Sequence, residues 1–246
     1  MASLRAISSL ALTCLAGVLA SAARAEPGAV IELFTSQGCS SCPAADKLLA
    51  ELARDPTLVP MTLAVDYWDY LGWKDTLALK GHTNRQRAYA GARGDREVYT
   101  PQAVVNGIAH VVGSDKAALE RAIQQTRKGA VPLALPVTMS VAGDKVTVNI
   151  AASPDQTGQG EVWLCPITNA VPVTIERGEN RGRSITYTNV VRRWIKLGEW
   201  HGKAASFNVP LASFQNGEID QVAVIVQNGV ASAPKLMLGV ARTAIR

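Results

Sequence analysis

Histidine is nearly missing from this sequence: only His82, His110 and His201 occur in 246 residues. None of them pairs with another at metal-ligand spacing, and none completes a Cys-His or Ser-His-Asp set. Charge is also thin. Charged residues make up 18% of the chain, below the usual ~25%, and the net +5 is spread along it rather than clustered as in a nucleic-acid binder. Four cysteines are too few for a disulfide-dense mini-scaffold. No solenoid or collagen-like repeat occurs. The 48% hydrophobic content is ordinary for a folded protein and argues against intrinsic disorder. At ~150 residues per domain, the length suggests one or two domains.

What is present begins with a leader. Arg5 supplies a positive n-region, Ile7 to Ala20 is mostly apolar, and Ala23-Arg24-Ala25 is a small-x-small cleavage site followed by Glu26-Pro27. This reads as a secretory signal peptide, because the apolar run falls short of the ~20 residues that a spanning helix needs. Cys14 sits within the run without a lipoprotein-type context. Cleavage after Ala25 would remove Cys14, Arg5 and Arg24, leaving 221 residues with 23 basic against 20 acidic side chains, a net of +3. Three cysteines remain, Cys39, Cys42 and Cys165, in a compartment where disulfides persist. The expected location is periplasmic or secreted. No second run reaches spanning length, so no stable membrane insertion is expected after cleavage.

The pattern changes near residue 130. Before it, the strand-like run Ala29 to Phe34 precedes helical spacing over Cys42 to Leu52, closed by Asp55-Pro56, and a second strand over Val59 to Val65. That is a β-α-β unit with parallel strands. Asp66 to Glu97 forms an insertion with a helix within Lys74 to Tyr89, followed by a loop over Gly91 to Asp95. Gln102 to Val105 and Ile108 to Val112 flank Asn106-Gly107, a strong hairpin signal because both turn residues need positive φ. Ser114 is placed to cap a helix that buries Leu119, Ala122, Ile123 and Thr126 and ends at Gly129. After Pro132 short alternating runs take over. Val137 to Ala142 and Lys145 to Ile150 flank Gly143-Asp144, and further runs cover Val162 to Ile167, Val190 to Leu197, Gln221 to Val226 and Leu236 to Val240. This half, 131–246, reads as an all-β, sandwich-like domain. The first half, 26–130, reads as an α/β domain with an insertion at 66–97.

Cys39-Ser-Ser-Cys42 stands after a buried strand and at the start of a helix. Unsatisfied N–H groups and the positive end of the helix dipole stabilise a thiolate there. The first cysteine of such a pair is the exposed one and attacks a disulfide; the second resolves the mixed disulfide. Cys39 is thus the candidate nucleophile and Cys42 the resolving thiol. A static disulfide and a metal knuckle are the alternatives; the knuckle lacks further ligands. Copper handling through the thiolates is a weaker third option.

Together with Thr100-Pro101 ahead of the hairpin, the strand–CxxC–helix order resembles the thioredoxin fold. The resemblance implies a cis-proline loop facing the CxxC and presenting backbone groups to a substrate strand. It also implies a buried acid in the strand, for which Glu32 is the candidate proton acceptor; otherwise Glu32 points to solvent or pairs with an arginine. Three segments, Glu32 to Pro43, Val65 to Asp75 and Tyr99 to Gly107, resemble the secreted, thioredoxin-like bacterial family catalogued as domain of unknown function 1223. That resemblance implies a thioredoxin fold with an added β-rich part and supplies no substrate.

Tyr67 to Asp75 departs from a plain thioredoxin. Trp68 and Trp73 are candidates to line a substrate groove beside Cys39, or else form a local aromatic core. Asp66, Asp69 and Asp75 lack a matching ligand set and read as caps and surface charges. His110 reads as a packed strand residue. Arg177, Arg181, Arg183, Arg192 and Arg193 read as a solvated face. Cys165 is read as a buried, inert thiol, with electron relay or intermolecular pairing as alternatives. The function expected is thiol–disulfide exchange with protein or small-molecule thiols and disulfides, with no cofactor, metal or nucleic acid. The competing expectation is a binding scaffold that retains the disulfide.

Overall fold

A computed structural model describes residues 27–128, 133–154 and 157–245. The leader, the pattern change at 130 and the expected helix end at Gly129 lie outside them. Strand β1, Ala29–Thr35, is buried at all seven positions because it is apolar on both faces. Ala29, Ile31 and Leu33 point to one side; Val30, Phe34 and, between them, Glu32 point to the other. Helix α1, Cys42–Leu52, has the bounds that the sequence predicts, with Pro43 in its first turn, where a missing N–H is harmless. Strand β2, Leu58–Ala64, runs parallel to β1 with Ala29 opposite Leu58.

The second helix departs from expectation. α2 spans Lys80–Arg93 rather than lying within Lys74 to Tyr89. The Asp75 carboxylate accepts from Leu77 N at 2.8 Å and holds a separate turn ahead of the helix. Gly91 to Arg93, expected in a loop, continue the helix, and Gly94 ends it at φ +83°, where glycine carries no Cβ penalty. Strands β3, Gln102–Val105, and β4, Ala109–Val112, close the predicted hairpin, with Asn106 and Gly107 at φ 49° and 76°. The buried Asn106 side chain accepts from Val30 N at 2.8 Å and donates to Thr126 Oγ1 at 3.0 Å, tying the hairpin to β1 and to helix α3, Lys116–Lys128. Asp115, not Ser114, caps α3: its carboxylate accepts from Ala118 N at 2.9 Å. The four predicted positions of α3 are buried.

In the second half, β5, Val137–Ala142, and β6, Lys145–Ile150, match the prediction. β7, Gly160–Thr174, is more than twice the expected length. The run predicted over Val190 to Leu197 is two strands, β8 (Ser184–Val191) and β9 (Ile195–Trp200), because the chain leaves the sheet at Arg192 to Trp194. β10, Ala205–Pro210, was not anticipated and pairs with β6 along its whole length. β11, Gln221–Val230, and β12, Ala233–Ala244, form a long hairpin.

The described residues form a mixed α/β structure with three α-helices and one large sheet, ordered β12-β11-β7-β8-β2-β1-β3-β4, with β9 also on β7. The sheet crosses the pattern change near residue 130 without interruption, since Thr62 of β2 pairs with Val190 of β8. One apolar cluster likewise mixes Val30, Phe34 and Met61 with Ile167, Ala223 and Met237. The smaller sheet, β10-β6-β5, packs Val146, Val148 and Ile150 against Leu164, Val222 and Val224. α1 and α3 cover one face of β1; α2, through Tyr89, covers the other. No described helix is long and apolar enough to cross a membrane.

Candidate functional site

The site starts where β1 stops. Ser36 to Ser41 turn the chain into α1, and Cys39 and Cys42 are joined as a disulfide with their Cα atoms 5.4 Å apart. Cys42 N donates to Cys39 O, so the pair sits on the first turn of the helix. The sequence reading makes Cys39 the exposed member. The structure corrects this: Cys39 is 1% exposed and Cys42 0%.

The cover comes from two segments. Asn180, in the β7–β8 connection, donates its Nδ2 to Gln37 O at 2.9 Å and to Cys39 O at 2.8 Å. Its neighbour Glu179 accepts from Ser40 N at 3.3 Å. On the other side lies the Tyr67 to Asp75 insertion. Asp75 accepts from Gln37 N at 2.8 Å, and Trp73 Nε1 donates to Gln37 Oε1 at 2.8 Å. Trp68 packs so close to Gly38 that a Cβ there would stand 3.0 Å from the Trp68 Cβ. Asn180 and Glu179 went unnoticed in the sequence, because nothing local connects them with a loop some 140 residues away.

The Thr100-Pro101 bond is cis. Ser41 Oγ donates to Thr100 O at 3.5 Å and lies 3.4 Å from Cys39 Sγ. Trp68 Nε1 donates to Thr100 Oγ1 at 2.8 Å. The structure therefore brings Cys39, Cys42, Thr100, Pro101, Trp68 and Trp73 together. Trp73 serves as a bracket between Gln37 and the Gly178 turn. Tyr70 stacks on Trp68, with ring planes 14° apart, and is 78% exposed.

Glu32 is not part of this group. It points to the α2 face of the sheet, where Arg85 Nε donates to its Oε1 at 2.6 Å and the Tyr89 hydroxyl to its Oε2. Arg85 also donates to Gln227 at 2.8 Å, so the pair anchors α2 to β11. α1 and its cysteines lie on the opposite face. The position expected to hold the proton acceptor thus holds a buried ion pair instead.

A different acid occupies the cysteine side. Asp46 lies one helical turn past Cys42 and is 4% exposed. Thr35 Oγ1 donates to its Oδ1 at 2.8 Å, while Oδ2 has no partner among the described residues. Burial, with a smaller push from the Asp75 charge, raises its pKa from 3.8 to about 7, against the lowering by Thr35. Asp75 is raised too, chiefly by burial. Tyr187, its pKa raised by burial and by these two carboxylates, has a hydroxyl without a partner among the described residues, and Asn180 Oδ1 likewise has none. Unpartnered buried polar atoms call for an ordered water or a proton. The sequence does carry a signal for Asp46: a carboxylate on the Cys42–Asp46–Leu49 stripe of an otherwise apolar helix face.

Of the remaining candidates, Asp66, Asp69 and Asp75, expected as caps, cap none of the described helices and instead tie the insertion together: Asp66 accepts from Thr83 Oγ1, and Asp69 from Asp75 N at 3.1 Å. Asp75 is buried rather than a surface charge. Cys165 is fully buried and its thiol pKa is pushed far up by burial. His110 is half-buried and faces Asp95 at 3.5 Å.

A mixed α/β protein with a cysteine pair opening a helix beneath a clamp from its own second half is the class that these features define. The chain belongs to the family described as "Protein of unknown function (DUF1223)", whose profile matches residues 30–227. It is similar to the crystal structure of protein AGR_C_4864 from Agrobacterium tumefaciens, at 33% identity and a TM-score of 0.80, covering 89% of this chain and 95% of that one. It also shares its fold with HBP35 of Porphyromonas gingivalis, at 11% identity and a TM-score of 0.59, over 89% of this chain and 76% of that one. No curated protein matches.

Proposed function

We propose that the protein is a thiol–disulfide oxidoreductase of the thioredoxin type, working in the periplasm or outside the cell. The observation that carries this reading is the Cys39–Cys42 pair on the first turn of α1, next to the Thr100-Pro101 loop and one turn from the buried Asp46, whose pKa is raised to about 7. The element order β1-α1-β2-α2-β3-β4-α3 with strand order β2-β1-β3-β4 supports the fold assignment. The β-rich second half, with its two facing sheets, is the sandwich-like addition.

In the reduced protein, Cys39 as thiolate attacks one sulfur of a substrate disulfide and expels the other as a thiolate, which takes up a proton. Cys42 then gives its proton to the Asp46 carboxylate and attacks the Cys39 sulfur. The substrate sulfur that Cys39 had attacked leaves as a thiolate and takes the proton from Asp46, and the Cys39–Cys42 bond re-forms. Two electrons pass to the substrate, and the reverse sequence oxidises a dithiol. A carboxyl with a pKa near 7 is well matched to moving this proton at neutral pH. The Thr100-Pro101 backbone holds the partner, and Trp68 with its stacked Tyr70 forms the wall of the groove. The partners are protein or small-molecule thiols and disulfides.

The test is trapping. Cys42→Ser protein should accumulate mixed disulfides on Cys39, and wild-type protein should reduce insulin or oxidise a dithiol peptide. Absence of both activities, with a Cys39–Cys42 bond that resists glutathione buffers, would sink the proposal. One observation favours the second reading, a scaffold with a permanent disulfide: neither sulfur-bearing residue is exposed. Full complementation of a deletion strain by the Cys39→Ser/Cys42→Ser protein would establish that reading.

A further inference from the structure

On the α2 side, away from the cysteines, a cleft of about 560 Å³ opens between α2, β7, Trp194 and the turn joining β11 to β12. That is within the ~300–1,000 Å³ range of small-molecule sites. Its walls are Trp163 and Trp194, edge to face with centroids 6.2 Å apart. Arg85 also lines it, with its guanidinium carbon 3.9 Å from the Trp194 ring centre. Arg85 is 8% exposed. Nε and Nη2 are committed to Glu32, Tyr89 and Gln227; Nη1 has no hydrogen-bond partner among the described residues. Trp194 Nε1 is buried and has no acceptor among the described residues. At the rim, Arg87 is exposed and has no ion-pair partner among the described residues.

The chemistry of these groups selects a ligand. The lining is aromatic and cationic, with Trp163 and Trp194 meeting edge to face and the Arg85 guanidinium over Trp194, a composition that suits a planar aromatic body. The lining arginines supply donors with no carboxylate of their own in the cleft, so the ligand must bring the acceptor. Glu32 already balances the charge of Arg85, leaving the uncompensated charge of Arg87 and a preference for a single negative charge. We infer that this cleft binds a small planar aromatic monocarboxylate, with the ring against Trp163 and Trp194 and the carboxylate between Arg85 Nη1 and Arg87. This site is separate from the cysteine pair and does not depend on the redox reading.

The probe is naphthalene-2-carboxylate, titrated into the oxidised protein by calorimetry and followed by quenching of tryptophan fluorescence. One equivalent should bind. The carboxamide of the same ring should bind about tenfold more weakly, because it loses the charge-assisted hydrogen bonds. Arg87→Gln should weaken the acid by a similar factor and leave the amide unchanged, and Trp163→Leu should weaken both. Arg87 is exposed, so its variant keeps the test usable should Trp163→Leu fail to fold. Trp68→Phe, at the cysteine site, should change nothing. The inference falls if no binding is seen at millimolar acid. It also falls if acid and amide bind equally, or if affinity follows Trp68 rather than Arg87.

Discussion

Replacing Asp46 with Asn tests the carboxyl beneath the cysteines directly. In the folded protein its pKa is raised to about 7; unfolded, it returns to 3.8. Between these values the folded state holds a proton that the unfolded state has released, so the Asp46 contribution to stability falls as pH rises through that window. A shift of about three units at ~1.4 kcal/mol each amounts to roughly 4 kcal/mol, absent below pH 4 and complete above pH 7. Buried His82 works in the opposite sense. Burial lowers its pKa from 6.5 to about 4, so protonation below pH 6.5 destabilises the fold by up to about 3 kcal/mol. In the wild type the two slopes largely cancel between pH 4 and 6.5. Asp46→Asn keeps the Thr35 hydrogen bond and carries no charge, so it removes one slope and uncovers the other. Urea unfolding of both proteins at pH 4, 5.5, 7 and 8.5, with the disulfide intact, gives the difference in stability. That difference should move in favour of Asp46→Asn by several kcal/mol from pH 4 to 8.5. The other carboxylates are common to both proteins and drop out, apart from Asp75, which gains when its neighbour's charge is gone. A difference independent of pH would show that Asp46 titrates as an ordinary surface acid, and would remove it from the proton step.

Glu32→Gln should leave Arg85 buried without its counter-ion, lowering stability by about 3–5 kcal/mol, while the alkylation rate of the reduced cysteines stays unchanged; a slowed thiol reaction would return Glu32 to the proton path. Asn180→Ala releases the carbonyls of Gln37 and Cys39 from their clamp, and the disulfide should then be reduced by dithiothreitol roughly tenfold faster, with a stability loss of about 1–3 kcal/mol; an unchanged reduction rate would mean that Asn180 does not control access to the sulfurs. Reducing the disulfide opens a ring that spans a sequence separation of three, so chain entropy alone predicts a loss of only about 2 kcal/mol in denaturant unfolding; a much larger loss would mean that the bond holds the clamp together and would favour the scaffold reading.

The elements legible in the sequence are those whose cause is local. α1 is bounded by Pro43 at its start and a leucine stripe along it, and it came out with the predicted bounds. The Asn106-Gly107 and Gly143-Asp144 turns fixed their hairpins because few residues tolerate φ > 0. The elements missed depend on partners elsewhere. The outer half of β7, from Thr168 to Thr174, has no fully buried position and is interrupted by Pro172, so its strand signal is weak; it is a strand because β8 pairs with it. β10 alternates, with Ala205, Phe207 and Val209 toward the core, but it is only six residues long and is held by β6. The α2 start was misplaced because Asp75, which looks like a helix N-cap, is committed to Gln37 and Leu77 instead.

The same distinction explains the site. A cysteine pair at a helix start is a local signal and was readable. The identity of the buried acid was not, because strand parity decides it. Glu32 and Thr35 lie three residues apart on β1, an odd step, so their side chains face opposite sides of the sheet. A shift of one residue would have put Glu32 on the side of the cysteines. With the observed parity, Thr35 takes that side and leaves room for an acid from the helix, and Asp46 fills it from one turn beyond Cys42. Glu32, on the far side, could stay buried and ionised only with a cation, which α2 provides as Arg85. That need links the two halves of the chain. Arg85 is satisfied by Gln227 of β11 as well as by Glu32, so the second half helps to hold α2, while Asn180 from the same half clamps the cysteine loop on the opposite face. A truncation at residue 130 would therefore free the cysteine loop and leave a buried guanidinium underbonded. It should yield an unstable fragment rather than an independent redox domain.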